Sequence, residues 1–266
     1  MALIEWVDRI KLLPGVRPVL EQRYERFFAT AAEHQLFRGI YASFDEAARS
    51  APNTKPVGYD DPGPAEMYRS RLDEVFPTDY PPLFWLSKLL ANARSLFDFG
   101  GHVGVKYYAY SRYLEFPPNL QWTVCDVPAV ARAGAELARE RSARGLTFVT
   151  DFGSASGNDI LFCCGSLQYV ETPLEKLLGG LRDLPKHVIV SSTPLGDGPS
   201  FVTLNSIGTA FCPYSVRQRS ELVRGMQRLG YEVEDEWEHP GKICIIPFHP
   251  QQSLMSYRAA YFRRAR

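Results

Sequence analysis

The sequence predicts an α/β chain, with a mostly parallel sheet flanked by helices, a terminal antiparallel hairpin and a helical N-terminal cover. Three observations carry that prediction. From residue 95 onward, short apolar runs alternate with helical patterns, the rhythm of βαβ units around a parallel sheet. The first of those runs stops at a Gly-Gly pair, a turn between strand and helix. The last two strand-like runs, 231–240 and 253–264, leave no room for a helix between them, so they must pair antiparallel.

Taken in order, residues 1–80 read as a cover and 81–266 as the sheet domain. Ile4, Val7, Ile10 and Leu13 form a short apolar stripe at helical spacing whose flanking charges cancel, the pattern of a docking helix. Helical patterns follow over 19–33 and 43–49. A Pro- and Gly-rich connection, 51–68, then breaks the periodicity. A helix over 81–91 leads into the strand 95–99, and further strands are read in 121–127, 146–152, 159–167 and 186–194. Helices are read over 129–143, 173–184 and 215–230. The connection 195–216 is too long for a routine turn and rich in Thr, Asn, Phe and Tyr, so it reads either as a lid over the carboxyl edge of the sheet or, equally, as packing for the sheet edge.

Composition mostly excludes. The chain has 266 residues, 45 % hydrophobic, with 30 Lys+Arg balanced by 30 Asp+Glu. That length suits one large domain with an appendage, and the balance removes the electrostatic case for nucleic acid. No run approaches a membrane span, and Glu5 and Asp8 interrupt any leader-like stretch, so a cytoplasmic protein is expected. The five cysteines form no CxxC pair and have too few histidines near them for a metal site.

The most informative residues are Asp98-Phe99-Gly100-Gly101-His102-Val103-Gly104, between a strand and an aromatic helix. Glycines there let backbone N–H groups approach a ligand. One strand later Asp126 ends 121–126, where a carboxylate can accept both hydroxyls of a ribose. A dinucleotide fingerprint would need glycine at Phe99, and the turn has no P-loop Lys-Ser/Thr. Asp98 adds negative charge, which is wrong beside a pyrophosphate and right beside the cationic methionine end of S-adenosylmethionine. The sign of that one side chain separates a nicotinamide oxidoreductase from a methyl-transfer cofactor.

With these residues the chain resembles the class I S-adenosylmethionine-dependent methyltransferases, through Asp98-x-Gly100-x-x-x-Gly104, Asp126 and the terminal hairpin. It is more specifically similar to a bacterial group of methyltransferases from surface-polysaccharide and secondary-metabolite gene neighbourhoods. The segments FRGIYASFDEA (37–47), GYD (58–60), LFDFGGHVG (96–104), GSLQYVETP (165–173) and FVTLNSIGTAFCPY (201–214) carry that similarity. The resemblance implies a Rossmann-like sheet. It implies a cofactor site of Asp98, Gly100, Gly101, Gly104, Asp126, Val127 and Ser166, with Asp151 and Phe152 at the adenine. The family's middle glycine is His102 here. In related plant-type O-methyltransferases a general-base His falls where Gln168 stands, and an amide cannot take a proton, so that mechanism is not carried over.

Methyl transfer needs the acceptor held in line and water excluded. His102, in the turn, and Tyr214 are the catalytic candidates. Tyr59, Asp60, Gln168, Tyr169, Thr203 and Asn205 are the acceptor-contact candidates. His239 and His249 are read in the hairpin connection, facing away from the cofactor. The resulting expectation is O-methylation of a small hydroxylated acceptor, a sugar or secondary metabolite. The alternative is a catalytically silent binding protein on the same fold. The partners considered are the small acceptor and, with nothing for or against it, a second copy of the chain.

Overall fold

The computed structural model describes residues 15–58 and 72–265. Tyr59, Asp60 and the Ile4–Leu13 stripe lie outside the described residues.

The principal sheet has seven strands: β2 (Ser95–Phe99), β3 (Gln121–Cys125), β4 (Leu146–Val149), β5 (Ile160–Cys164), β6 (His187–Thr193), β10 (Tyr231–Cys244) and β11 (Leu254–Arg264). Their spatial order is β10-β11-β6-β5-β2-β3-β4. β2 to β6 pair parallel, and β11 enters antiparallel to both β6 and β10. The parallel strands are apolar on both faces because helices cover both. Along β5, Ile160 and Phe162 face one core with Trp122, Val124 and Ile189, while Leu161 and Cys163 face the other with Val188 and Phe262. Burying each such side chain contributes roughly 1.5–3 kcal/mol. The chain leaves β2 toward β3 on one side while β5 lies on the other. The carboxyl ends of β2 and β5 therefore meet at the reversal of strand order, where open α/β sheets form a crevice.

A second, four-stranded sheet differs from expectation. Residues 195–216 are not a lid but β7 (Leu195–Gly196), β8 (Phe201–Ile207) and most of β9 (Phe211–Gln218). β8 and β9 form an antiparallel hairpin, turned at Gly208 with φ +85°. β8 also pairs with β1 (His34–Tyr41), a strand inside the N-terminal cover. The cover is therefore helical over α1 (Arg17–Thr30) and α2 (Phe44–Arg49), and it lends one strand to a sheet completed by the far end of the chain. α1 seats Phe28 on one face of this sheet, stacked 5.1 Å from Phe211. The other face packs Phe37, Tyr214 and Val216 against Cys244, Ile246 and Tyr257 from the far part of the terminal hairpin. That hairpin thus pairs in the principal sheet and packs its far part against the second.

His239 also differs from expectation: it lies within β10, is buried, and meets the Ser191 hydroxyl at 3.1 Å. Among the described residues no helix is long and apolar enough to cross a membrane, and no group of three His, Cys, Asp or Glu could hold a metal ion.

Candidate functional site

A cavity of about 520 Å³ opens at the carboxyl ends of the parallel strands, a size ordinary for small-ligand sites. It is lined by Asp98–His102 after β2, Cys125–Pro128 after β3, Thr150 after β4, Cys164–Ser166 after β5 and Ser192 in β6. Gln35, Phe76, Thr78 and Asp79 close it from the N-terminal side, and Tyr169 and Lys242 complete the wall.

At one end the glycine turn is packed too tightly for any side chain. A Cβ on Gly100, whose φ is +73°, would stand 2.2 Å from Ser166 Cβ, and one on Gly101 would stand 2.4 Å from the Asp98 carboxylate. His102 takes the left-handed φ of 59° that the glycine of the related motif would adopt freely. Its backbone N–H donates to Asp126 Oδ2 at 2.9 Å, while Val127 N–H donates to Oδ1 at 2.8 Å. Asp126 therefore ties the turn to β3 with its carboxylate at the cavity wall. The Ser166 hydroxyl donates to the Phe99 carbonyl and holds β5 against β2.

Asp98 is the anomaly of this end. It is 1 % exposed; Oδ2 accepts from Trp122 Nε1 at 3.2 Å, and Oδ1 has no partner among the described residues. Burial pushes its pKa up to about 7, opposed by the Trp122 hydrogen bond and the charge of Lys106. A buried carboxylate with an open acceptor at a cavity wall is a place for a cationic ligand group.

The other end holds groups that the sequence reading passed over. Asp79, buried at the foot of helix α3 (Tyr80–Leu89), accepts from Lys106 Nζ at 2.5 Å and from the Tyr110 hydroxyl at 2.9 Å. Lys106 belongs to α4 (Val105–Tyr110), directly after the turn. Burial opposes its charge, but the Cys164 sulfur and the Asp79 carboxylate outweigh that and hold its pKa above the ordinary lysine value. Lys242 comes from β10, and burial together with the like charge of Lys106 pulls its pKa down despite Cys164 between them. His239, buried beside Lys242, is held down to about 4. One signal for Lys106 was in the sequence: it is the sole charge in the aromatic helix VKYYAY. Nothing local marked Asp79 or Lys242.

The cavity brings together Asp98, Gly100, Gly101, His102, Asp126, Val127, Ser166 and Tyr169. Gly104 does not line it and instead starts α4 with φ +87°. Asp151 and Phe152 lie just beyond Thr150, with Phe152 edge-on to Phe99 at 4.8 Å. Gln168 is buried and donates to the Gly165 carbonyl at 2.7 Å. Thr203, Asn205 and Tyr214, expected at the acceptor, sit instead in the second sheet. Thr203 donates to the Arg38 carbonyl, Asn205 to the Leu36 carbonyl, and Tyr214 shares a 2.6 Å hydrogen bond with Tyr257. Their polarity ties strands together: Thr203 and Asn205 bond β8 to β1, and Tyr214 bonds β9 to β11.

No protein-family model and no curated protein matches the chain. Solved structures do. OxaC, solved with S-adenosylhomocysteine and oxaline, is 14 % identical at a TM-score of 0.50, over 76 % of this chain and 50 % of its own. The mitomycin 7-O-methyltransferase MmcR is 16 % identical at 0.48, over 97 % and 70 %. The 1,6-didemethyltoxoflavin-N1-methyltransferase of Burkholderia thailandensis is 17 % identical at 0.48, over 76 % and 83 %. With the strand order, the glycine turn and the likeness to OxaC in hand, the chain has the Rossmann-like fold of the class I S-adenosylmethionine-dependent methyltransferases.

Proposed function

We propose that the chain moves a methyl group from S-adenosylmethionine to a small hydroxylated acceptor, a sugar or secondary metabolite. The observation that carries this reading is Asp98, a buried carboxylate that lines the cavity with one oxygen unpaired among the described residues, beside glycines that admit no side chain. That donor set fits the cofactor. Asp98 suits its ammonium group, Asp126 its ribose hydroxyls, and Gly100 and Gly101 permit close backbone approach. Val127 and Ser166 shape the walls, and Asp151 with Phe152 sits near enough to Thr150 to border the adenine. The bound S-adenosylhomocysteine of OxaC supports the same choice of cofactor.

When bound, the cofactor supplies an electrophilic methyl group on a sulfonium. The chain's own residues then orient the acceptor and exclude water, which supplies much of the acceleration in such displacements. Gln35, Phe76, Thr78 and Tyr169 also line the cavity, and the reading assigns them to the acceptor. His102 stands at the turn as the candidate catalytic side chain. Gln35, Phe76, Thr78 and Asp79, from the described part of the cover, close the cavity from the N-terminal side. A catalytically silent binding protein is the second reading, favoured by the amide of Gln168, which is tied to backbone and cannot serve as a base.

Isothermal titration with S-adenosylmethionine and S-adenosylhomocysteine tests the proposal, with binding of both expected. Absence of heat for either at millimolar ligand would sink it. Binding of both without turnover across hydroxylated acceptors favours the silent reading. Asp126→Ala is expected to weaken binding. Because Asp126 also holds His102 N–H, the variant's melting temperature is read alongside its affinity.

A further inference from the structure

Among the described residues Lys242 has no hydrogen-bond or ion-pair partner, and its ammonium stands only over the Tyr257 ring. It lies where the β10–β11 pairing slips between Pro240 and Cys244, next to Gly241 at φ +85°. Such bulges re-aim side chains beside sites. The slip turns Lys242 inward rather than along the strand. Its Nζ stands 3.8 Å from the point a Cβ on Gly165 would occupy, the same distance as Ser192 Cβ from that point, and 5.5 Å from the Tyr257 ring centroid. Both Lys242 and Ser192 line the cavity.

The charges around the cavity do not balance at this end. Asp98 and Asp126 stand at the glycine turn. Asp79 is committed to Lys106 and Tyr110, and its second oxygen accepts from Phe76 N–H at 3.0 Å. Among the described residues no carboxylate lies within ion-pair distance of Lys242; of the charged groups that act on it, Lys106 is a second lysine and Asp79 is already held by Lys106 and Tyr110. A half-buried ammonium without an anion is costly, and the methyl-transfer cofactor carries net positive charge of its own. An anionic ligand group would relieve both.

Resting on the methyltransferase reading, we propose that the acceptor carries a carboxylate or phosphate group and that this group seats on Lys242 beside Ser192, with Lys106 behind. A hydroxyl elsewhere on the acceptor is then positioned relative to the cofactor by an ionic anchor on the cavity wall.

The test uses the whole protein with its seven lysines reductively methylated with carbon-13, the Lys242 signal being assigned by its loss in Lys242→Met. Inorganic phosphate and acetate are titrated separately, with and without S-adenosylhomocysteine. The Lys242 signal is expected to move and saturate with at least one of them, and to do so still with S-adenosylhomocysteine present. A response to phosphate alone identifies a phosphate ligand, and one to acetate alone a carboxylate. If neither anion moves the signal, the proposal is overturned. It is equally overturned if S-adenosylhomocysteine itself moves the signal and abolishes the anion response, since Lys242 then serves the cofactor's carboxylate. Titration calorimetry of unmodified protein gives the second arm. Lys242→Arg is expected to keep the anion affinity and Lys242→Met to lose it about tenfold or more, the scale of one charged hydrogen bond. Failure of S-adenosylhomocysteine to bind at all defeats the methyltransferase reading instead, and the wild-type anion response is read independently of it.

Discussion

Asp98 sets the energetics of its end of the site. Its folded pKa of about 7 lies above the ordinary 3.8, so between those values the folded chain keeps a proton that the unfolded chain has lost. Stability contributed by this group therefore falls as pH rises through that window. Asp98→Asn is expected to stabilise the unliganded protein at mildly alkaline pH by a few kcal/mol (~4 at most), read as a higher melting temperature. The same variant should bind S-adenosylmethionine about ten- to a hundredfold more weakly, because a charged hydrogen bond is lost. In the wild type that affinity should rise with pH through about 7, as the carboxyl ionises to meet the ammonium. Calorimetry across pH checks both, and a variant that is less stable yet binds normally contradicts the assignment. Gly101→Ala probes the turn itself. Its methyl would meet the Asp98 carboxylate at 2.4 Å, so cofactor affinity should fall steeply while circular dichroism stays native. These residues were legible in the sequence because glycines, acid and strand are contiguous. Asp79, Lys106 and Lys242 were not, since three separate segments converge and no spacing records it.

At the scale of elements, the strands of the principal sheet were legible because each is a short apolar run ended by polar or glycine residues. β2, for example, coincides with the apolar run SLFDF. The second sheet was illegible for an equally physical reason. β8 finds one partner in β9 across a turn and the other in β1, in the N-terminal segment. A strand whose edges are satisfied at such distance, with Thr203 and Asn205 bonded to the carbonyls of Arg38 and Leu36, looks polar and loop-like when read alone. Tyr214→Phe follows from this placement. It removes the 2.6 Å hydrogen bond to Tyr257 inside the packed face, so chemical denaturation should show a loss of about 1–2 kcal/mol. Cofactor affinity should be unchanged, because Tyr214 does not line the cavity. A selective loss of methyl transfer would instead restore it to the chemistry.

For the whole molecule, the cavity gathers groups from the carboxyl ends of five parallel strands, from the cover and from the terminal hairpin. Ligand occupying it should therefore stabilise the entire fold. At S-adenosylhomocysteine about a hundredfold above its dissociation constant the gain is ~2.7 kcal/mol, and the melting temperature should rise by on the order of 5–10 °C. Differential scanning calorimetry reads this directly, and an unmoved transition would contradict a native-state site. The terminal hairpin adds a mechanical consequence. Tyr231 and Arg264 pair at one end of it, on the principal sheet, while Cys244 and Tyr257 are locked into the core of the other. Beyond the slipped pairing at 240–244 a single pair, Cys244 with Leu254, continues the ladder. The hairpin therefore tethers the packing of one sheet to the pairing of the other, and a shift between them would carry the Lys242 ammonium along the cavity wall.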